Sequence, residues 1–311
     1  MPYRMTLSRT RRRLLCAAAL GSALPVPSPA IARVFNGVGP LRILAPDRAA
    51  TSTLLALGVQ PVAGVDKSFY DAMGGQPPMP PGIADCGDPN EPNLELMLAL
   101  RINQCVTVTT LPSARERIAS IAPVLHLEIY NGETGAFERA AAGFRRAAAL
   151  TGREPQATAY MADVDALTER TAAALGAAGA PLRPAFLVTL NGGGRSMVVY
   201  GRNSMMFDVM RRLGLPNAWT RPTNTYGFAV TGVEALAEAP DADVIVVDFG
   251  AGTTAALAEL AASPFWNRLP MVRRGRVFRI PLVDLYSSYP AAHTFLQGLQ
   301  GLARRPEYRH V

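Results

Sequence analysis

Residues able to do covalent or metal chemistry are few and scattered along this chain of 311 residues. Its histidines are His126, His293 and His310. A site for bare zinc or manganese needs several His or carboxylate ligands converging, and these three read as dispersed structural residues. Cys86 and Cys105 belong to no Cys-x-x-Cys pair and read as two buried thiols, since spacing alone cannot bring two Cα atoms within bridging distance. The chain has no Gly-x-Ser-x-Gly elbow, no His-Glu-x-x-His and no dinucleotide fingerprint. Asn191-Gly192-Gly193-Gly194 lacks the Lys-Ser/Thr ending of a phosphate loop and reads as a turn. What remains is the chemistry of recognition.

The stretch that best fits recognition runs from Asp85 to Met97. It reads as strand end, tight turn at Gly87, then a helix entered through Pro92, with Leu94, Met97 and Leu98 on one face. Loops between a strand end and a helix N-terminus are where open α/β sheets hold ligands, although the same pattern also serves as an ordinary connection.

Around this stretch, short apolar strands alternate with helices. Arg42–Ala45, Val62–Val65, Ile83–Cys86, Cys105–Val108 and Val124–Leu127 read as strands. Thr51–Leu57, Leu94–Leu100 and Ser113–Ala119 read as the helices between them, which predicts an α/β lobe with a largely parallel sheet. Ala136–Leu175 is Ala-rich and nearly free of glycine, so it predicts long helix, interrupted or kinked at Thr151–Pro155. A second α/β lobe follows: strands at Ala185–Leu190, Met197–Tyr200, Val244–Asp248 and Val277–Ile280, and helices at Asn203–Leu213 and Ala291–Leu302. The expected organisation is a leader over 1–32, one lobe over 33–135, a helical segment over 136–180 and a second lobe over 181–311.

The leader is read from Thr10-Arg11-Arg12-Arg13-Leu14-Leu15, an apolar run from Leu14 to Leu24, and Ala30-Ile31-Ala32 as a small-residue cleavage site. Together these predict export through the twin-arginine route to a periplasm. Leu15 before Cys16 argues against a lipoprotein. The leader carries five arginines and no acid, so its removal lowers the formal charge from +7 to +2. The basic pI therefore predicts no nucleic-acid partner. Arg273-Arg274 and Arg304-Arg305 read as solvated surface.

Asp-x-Gly-x-x-x-Glu-Pro-Asn-Leu-Glu, followed by Arg101 and the strand from Gln104, resembles the mouth loop of periplasmic binding proteins for iron–siderophore and cobalamin complexes. The likeness is greatest to the ferric hydroxamate binders and runs over Arg42–Leu57, Pro61–Pro123 and Met197–Leu302, with Pro216–Trp219 and Ser263–Trp266 as landmarks. It implies two Rossmann-like lobes joined by a long backbone α-helix, with a ligand cleft between them. It places Pro89, Asn90, Met73 and Leu111 on one wall and Tyr226, Asp284 and Tyr286 on the other. The two tyrosines suit the apolar belt of a siderophore, their alternative role being that of core aromatics.

Four positions depart from the resembled pattern. The hydroxamate binders' cleft arginine falls at Pro89, its partner tyrosine at Leu111, and two cleft tryptophans at Met73 and Asp284. Arg48, at the end of the first strand, restores a positive charge or is a solvated rim residue. Asp284, if it faces the cleft, favours a ligand bearing an amine or hydroxyls. Glu116 and Glu234 fall where family members meet a membrane permease, their alternative being exposed helix-end carboxylates. The resemblance implies a monomeric solute-binding protein of an ABC importer that carries a ferric siderophore, hydroxamate type first. It implies no cofactor of the protein's own, because iron arrives inside the chelate. Cobalamin or haem binding, or an exported siderophore-processing enzyme using Asp284 with Tyr286, are the alternatives.

Overall fold

The computed structural model describes residues 39–176 and 181–309; the segment 1–32 read as a leader, and His310, lie outside the described residues. The first sheet is built from β1 (Ile43–Ala45), β2 (Ala63–Gly64), β3 (Ala84–Asp85), β4 (Gln104–Thr107) and β5 (Val124–His126). All its pairings are parallel and the order is β3-β2-β1-β4-β5. Connections are made by α1 (Arg48–Ala56), α2 (Lys67–Ala72), α3 (Leu94–Ala99) and α4 (Pro112–Ala119). The strand order reverses between β1 and β4, so a crevice opens at their carboxyl ends, where α/β sheets bind ligands.

Helix α1 starts three residues earlier than its apolar pattern predicts, because Asp47 caps it by accepting from Ala50 N at 2.8 Å. Arg48 is therefore the first residue of a helix, not the last of a strand. The predicted helix over 136–175 is two helices, α5 (Ala136–Thr151) and α6 (Glu154–Gly176). Gly152, in the left-handed region at φ 65°, ends the first.

The second sheet contains β6 (Ala185–Asn191), β7 (Ser196–Tyr200), β8 (Phe228–Thr231), β9 (Asp243–Val247) and β10 (Val277–Ile280), in the order β10-β9-β6-β7-β8. Only β7 runs antiparallel to its neighbours. Its helices are α7 (Met205–Arg212), α8 (Ala251–Ala261), α9 (Pro270–Arg273), α10 (Tyr289–Ala303) and α11 (Pro306–Arg309). Strand β8 and helices α2 and α8 escape a reading by apolar periodicity: β8 is half-exposed, and α2 buries only Tyr70.

One apolar cluster is shared by both sheets. It joins Ile43 and Leu54 of the first lobe, Phe137, Phe144 and Val164 of the helix pair, and Leu187, Ile245 and Phe295 of the second. Tyr289 at the start of α10 packs its ring against Phe137 and Phe144. The two lobes thus rest on a common floor.

Candidate binding cleft between the lobes

At the crevice of the first sheet, one carboxylate organises both sides. Asp47 follows β1 and is 3% exposed. Besides capping α1, it accepts from Thr107 Oγ1 at 2.7 Å, Val108 N at 2.9 Å, Thr109 N at 3.1 Å and Thr110 Oγ1 at 3.0 Å. Multiple donors of this kind make burial of the charge tolerable. The first turn of α1 and the loop after β4 are therefore held in one register. Leu111, at the end of that loop, is exposed, and its N–H donates to Asn90 Oδ1 at 3.0 Å. Asn90 N in turn donates to Asp88 Oδ1, so the mouth loop is pinned to the post-β4 loop. Pro89 between them is half-buried.

From the second lobe, the segment after β10 supplies the facing wall. β10 and β8 are opposite edges of their sheet, yet Tyr286 lies 5.7 Å from Phe228 between ring centroids. The segment 281–288 must therefore cross the sheet's width. Tyr226 joins the same group, 6.0 Å from Tyr286, 6.4 Å from Phe228 and 5.8 Å from Tyr130. Burial pushes the Tyr130 and Tyr200 hydroxyls well above the usual phenol range. Tyr130 donates to Ser287 O at 2.8 Å and Ser288 Oγ to Ala49 O at 2.8 Å, fastening the crossing segment to the first lobe.

Arg48 meets this wall. Its Nε donates to Asp284 Oδ2 at 2.8 Å, with Nη2 at 3.4 Å from Oδ1. The guanidinium carbon lies 4.8 Å from the Phe69 ring centroid and 5.4 Å from that of Tyr286, within cation–π range. Burial works against the Arg48 charge, but the hydrogen bond and charge of Asp284, and then Tyr286, more than offset it. Burial raises the Asp284 carboxyl, and Arg48 and Ser287 recover part of that shift. Asp284 thus faces Arg48 as half of an ion pair and is not a free acceptor waiting for a ligand amine. Met73 is half-buried at the end of α2. The next residue, Gly74 (φ 75°), lets the turn touch the second lobe: a Cβ there would sit 2.8 Å from Leu282 Cγ.

The structure therefore brings Arg48, Asp284, Tyr226 and Tyr286 into one cluster and places Met73 beside the segment that carries Asp284. Asn90 and Leu111 form a second group with Pro89, linked to the first through Asp47. Asp47, Phe69, Tyr130 and Phe228 belong to the site without having been foreseen. Asp47 carried a signal, a helix-capping Asp directly after a strand; the three rings carried none, because only tertiary packing aligns them. Glu116 and Glu234 are exposed in α4 and in the 3-10 turn Val233–Glu238, and among the described residues neither is ion-paired. His126 bonds Val108 O, and His293 pairs with Asp163 at 2.9 Å. Cys86 and Cys105 are buried free thiols, and burial pushes the Cys86 thiol up to about 12. Among the described residues, no three His, Cys, Asp or Glu side chains converge in a way that would hold a metal ion.

Two α/β lobes with a shared floor and a polar and aromatic seam between them define a solute-binding protein. The chain belongs to the periplasmic binding protein family, whose family model matches residues 43–282. It is 31% identical over 290 residues to the iron(3+)-hydroxamate-binding protein FhuD of Escherichia coli K12, covering 93% of this chain and 95% of that one. Among solved structures it is similar to FhuD of Vibrio cholerae bound to Fe3+–Desferal, with TM-score 0.76, 24% identity, and 85% and 99% of the two chains covered. A periplasmic haem-binding protein from Pseudomonas aeruginosa shares the fold at TM-score 0.65 and 22% identity, over 85% and 92% of the chains.

Proposed function

We propose that the protein is the periplasmic solute-binding component of an ABC importer and carries a ferric siderophore, with hydroxamate chelates as the first candidates. The observation that carries this reading is the cleft's chemistry. Rings from one lobe (Tyr226, Phe228, Tyr286) oppose a guanidinium and a ring from the other (Arg48, Phe69). Such a seam grips the organic shell of a chelate, with iron entering as cargo already wrapped by its oxygens. The 31% likeness to a hydroxamate-binding protein over nearly the whole chain supports the same reading.

Binding without turnover fits the site. Asp284, the carboxylate an acid/base mechanism would use together with Tyr286, is engaged by Arg48. Export by the twin-arginine leader, action as a monomer, and docking to the permease through Glu116 and Glu234 are parts of the same proposal. Titrating tryptophan and tyrosine fluorescence with ferric hydroxamate, citrate-type and catecholate chelates, cobalamin and haem tests it. Saturable 1:1 quenching by a ferric siderophore, with no product formed, is expected. Binding of cobalamin or haem alone, or conversion of the chelate, would overturn it.

A further inference from the structure

Arg48 and Asp284 stand on opposite lobes, and the way they meet goes beyond a shared salt bridge. A guanidinium has five N–H donors in a plane. Asp284 takes one edge, through Nε and Nη2. Phe69 and Tyr286 lie against the planar group, and the side chain is 12% exposed while Asp284 is 4% exposed. Tyr286 also hydrogen-bonds the guanidinium, and Asp284 and Tyr286 together leave part of its five-donor fork unengaged. The carboxylate thus fixes the plane of the arginine, leaves part of its donor fork for a ligand, and cancels its charge.

We propose that Asp284 is a positioning residue that acts through Arg48 to set which chelates the cleft accepts. With Asp284 in place, the recognising group is a neutral, oriented pair of charges instead of a free cation. It donates hydrogen bonds to chelate oxygens but gives little reward for net negative charge. The class of ligand that follows is an oxygen-chelated ferric complex of low net charge, with apolar surface for the surrounding rings. A polyanionic chelate would have to bring its charge beside the buried Asp284 carboxylate, which repels it. This rests on the reading of the protein as a ferric-siderophore binder.

The test is a fluorescence titration of the full mature chain with two probes: an uncharged ferric trihydroxamate and a trianionic ferric tricatecholate. The unaltered protein is expected to prefer the uncharged chelate. Asp284→Asn leaves Arg48 an uncompensated cation. Affinity for the trianion should rise about tenfold and that for the uncharged chelate should fall, a change of the ratio on the order of a hundredfold. Arg48→Lys keeps the charge pair but loses the flat fork. It should weaken the uncharged chelate about tenfold without any gain for the trianion, and it serves as the second variant should Asp284→Asn fail to fold. An equal loss for both chelates in Asp284→Asn, or an unchanged ratio, would overturn the positioning role, as would Arg48→Lys binding both probes like the unaltered protein. If the unaltered protein binds neither probe, the siderophore reading itself fails, which is a separate outcome.

Discussion

Arg48 Nε lies 2.8 Å from Asp284 Oδ2, and the two residues are contributed by different lobes, 236 positions apart in sequence. The pair replaces two independent site residues, a cation on one wall and an acid on the other, by a single neutral unit at the seam. Its burial has an energetic consequence as well as a functional one, because removing either partner strands the other charge away from water.

Asp284→Ala should therefore destabilise the fold by about 3–5 kcal/mol, as expected for an ion pair buried to this degree. Arg48→Met combined with Asp284→Leu should recover most of that loss, since no charge is then stranded. Urea unfolding at neutral pH, followed by circular dichroism, measures both; an additive loss in the double variant would contradict this account.

Asp47→Ala removes the acceptor of five donors and the cap of α1 together. A loss of about 3 kcal/mol or more is expected, since each unsatisfied buried donor costs on the order of 1–3 kcal/mol. Asp47→Asn should cost less but still free the loop at Thr109–Leu111, so ligand affinity should fall in a variant that remains folded. Denaturant unfolding and fluorescence titration separate the two effects.

Burial pushes the Asp243 carboxyl up to about 6, partly countered by Arg276 and Arg183, and its Oδ1 has no hydrogen-bond partner. An unfolded Asp titrates near 3.9. The folded chain thus binds more protons between about pH 4 and pH 6, and the stability this group contributes is present below that window and lost as pH rises through it. Asp243→Asn should be more stable than the natural chain at pH 7, by a few kcal/mol at most, with the difference closing toward pH 4. Thermal unfolding across that range checks the sign.

Changing Glu116 and Glu234 together to Ala should leave chelate titration intact and slow uptake in reconstituted transport. Charges at a rim act largely through encounter, so the defect should shrink as ionic strength rises. A normal uptake rate at low salt would remove both residues from the docking surface.

The strands of the first sheet and its helices other than α2 were legible because apolar runs, turn glycines and capping residues are local signals. Gln104–Thr107 reads as a strand from its own residues, and Gly152 marks the break between α5 and α6 by its backbone freedom. The turn at Gly87 and the helix after Pro92 were legible as a strand–turn–helix pattern, whereas Asn90 and Leu111 were pointed to only by the family resemblance. Strand β8 was not, because its side chains are half-exposed and carry no alternation that marks a face. The composition of the cleft was decided by tertiary structure alone. Whether Arg48 is a free cation or a paired one depends on Asp284, and no local rule relates residues so far apart. The same holds for Phe69, Tyr130 and Phe228, whose rings meet Arg48, Tyr226 and Tyr286 only after segment 281–288 crosses its sheet and docks on α1. Sequence spacing encodes which face of an element is apolar; long-range packing decides which charges and rings those faces bring together.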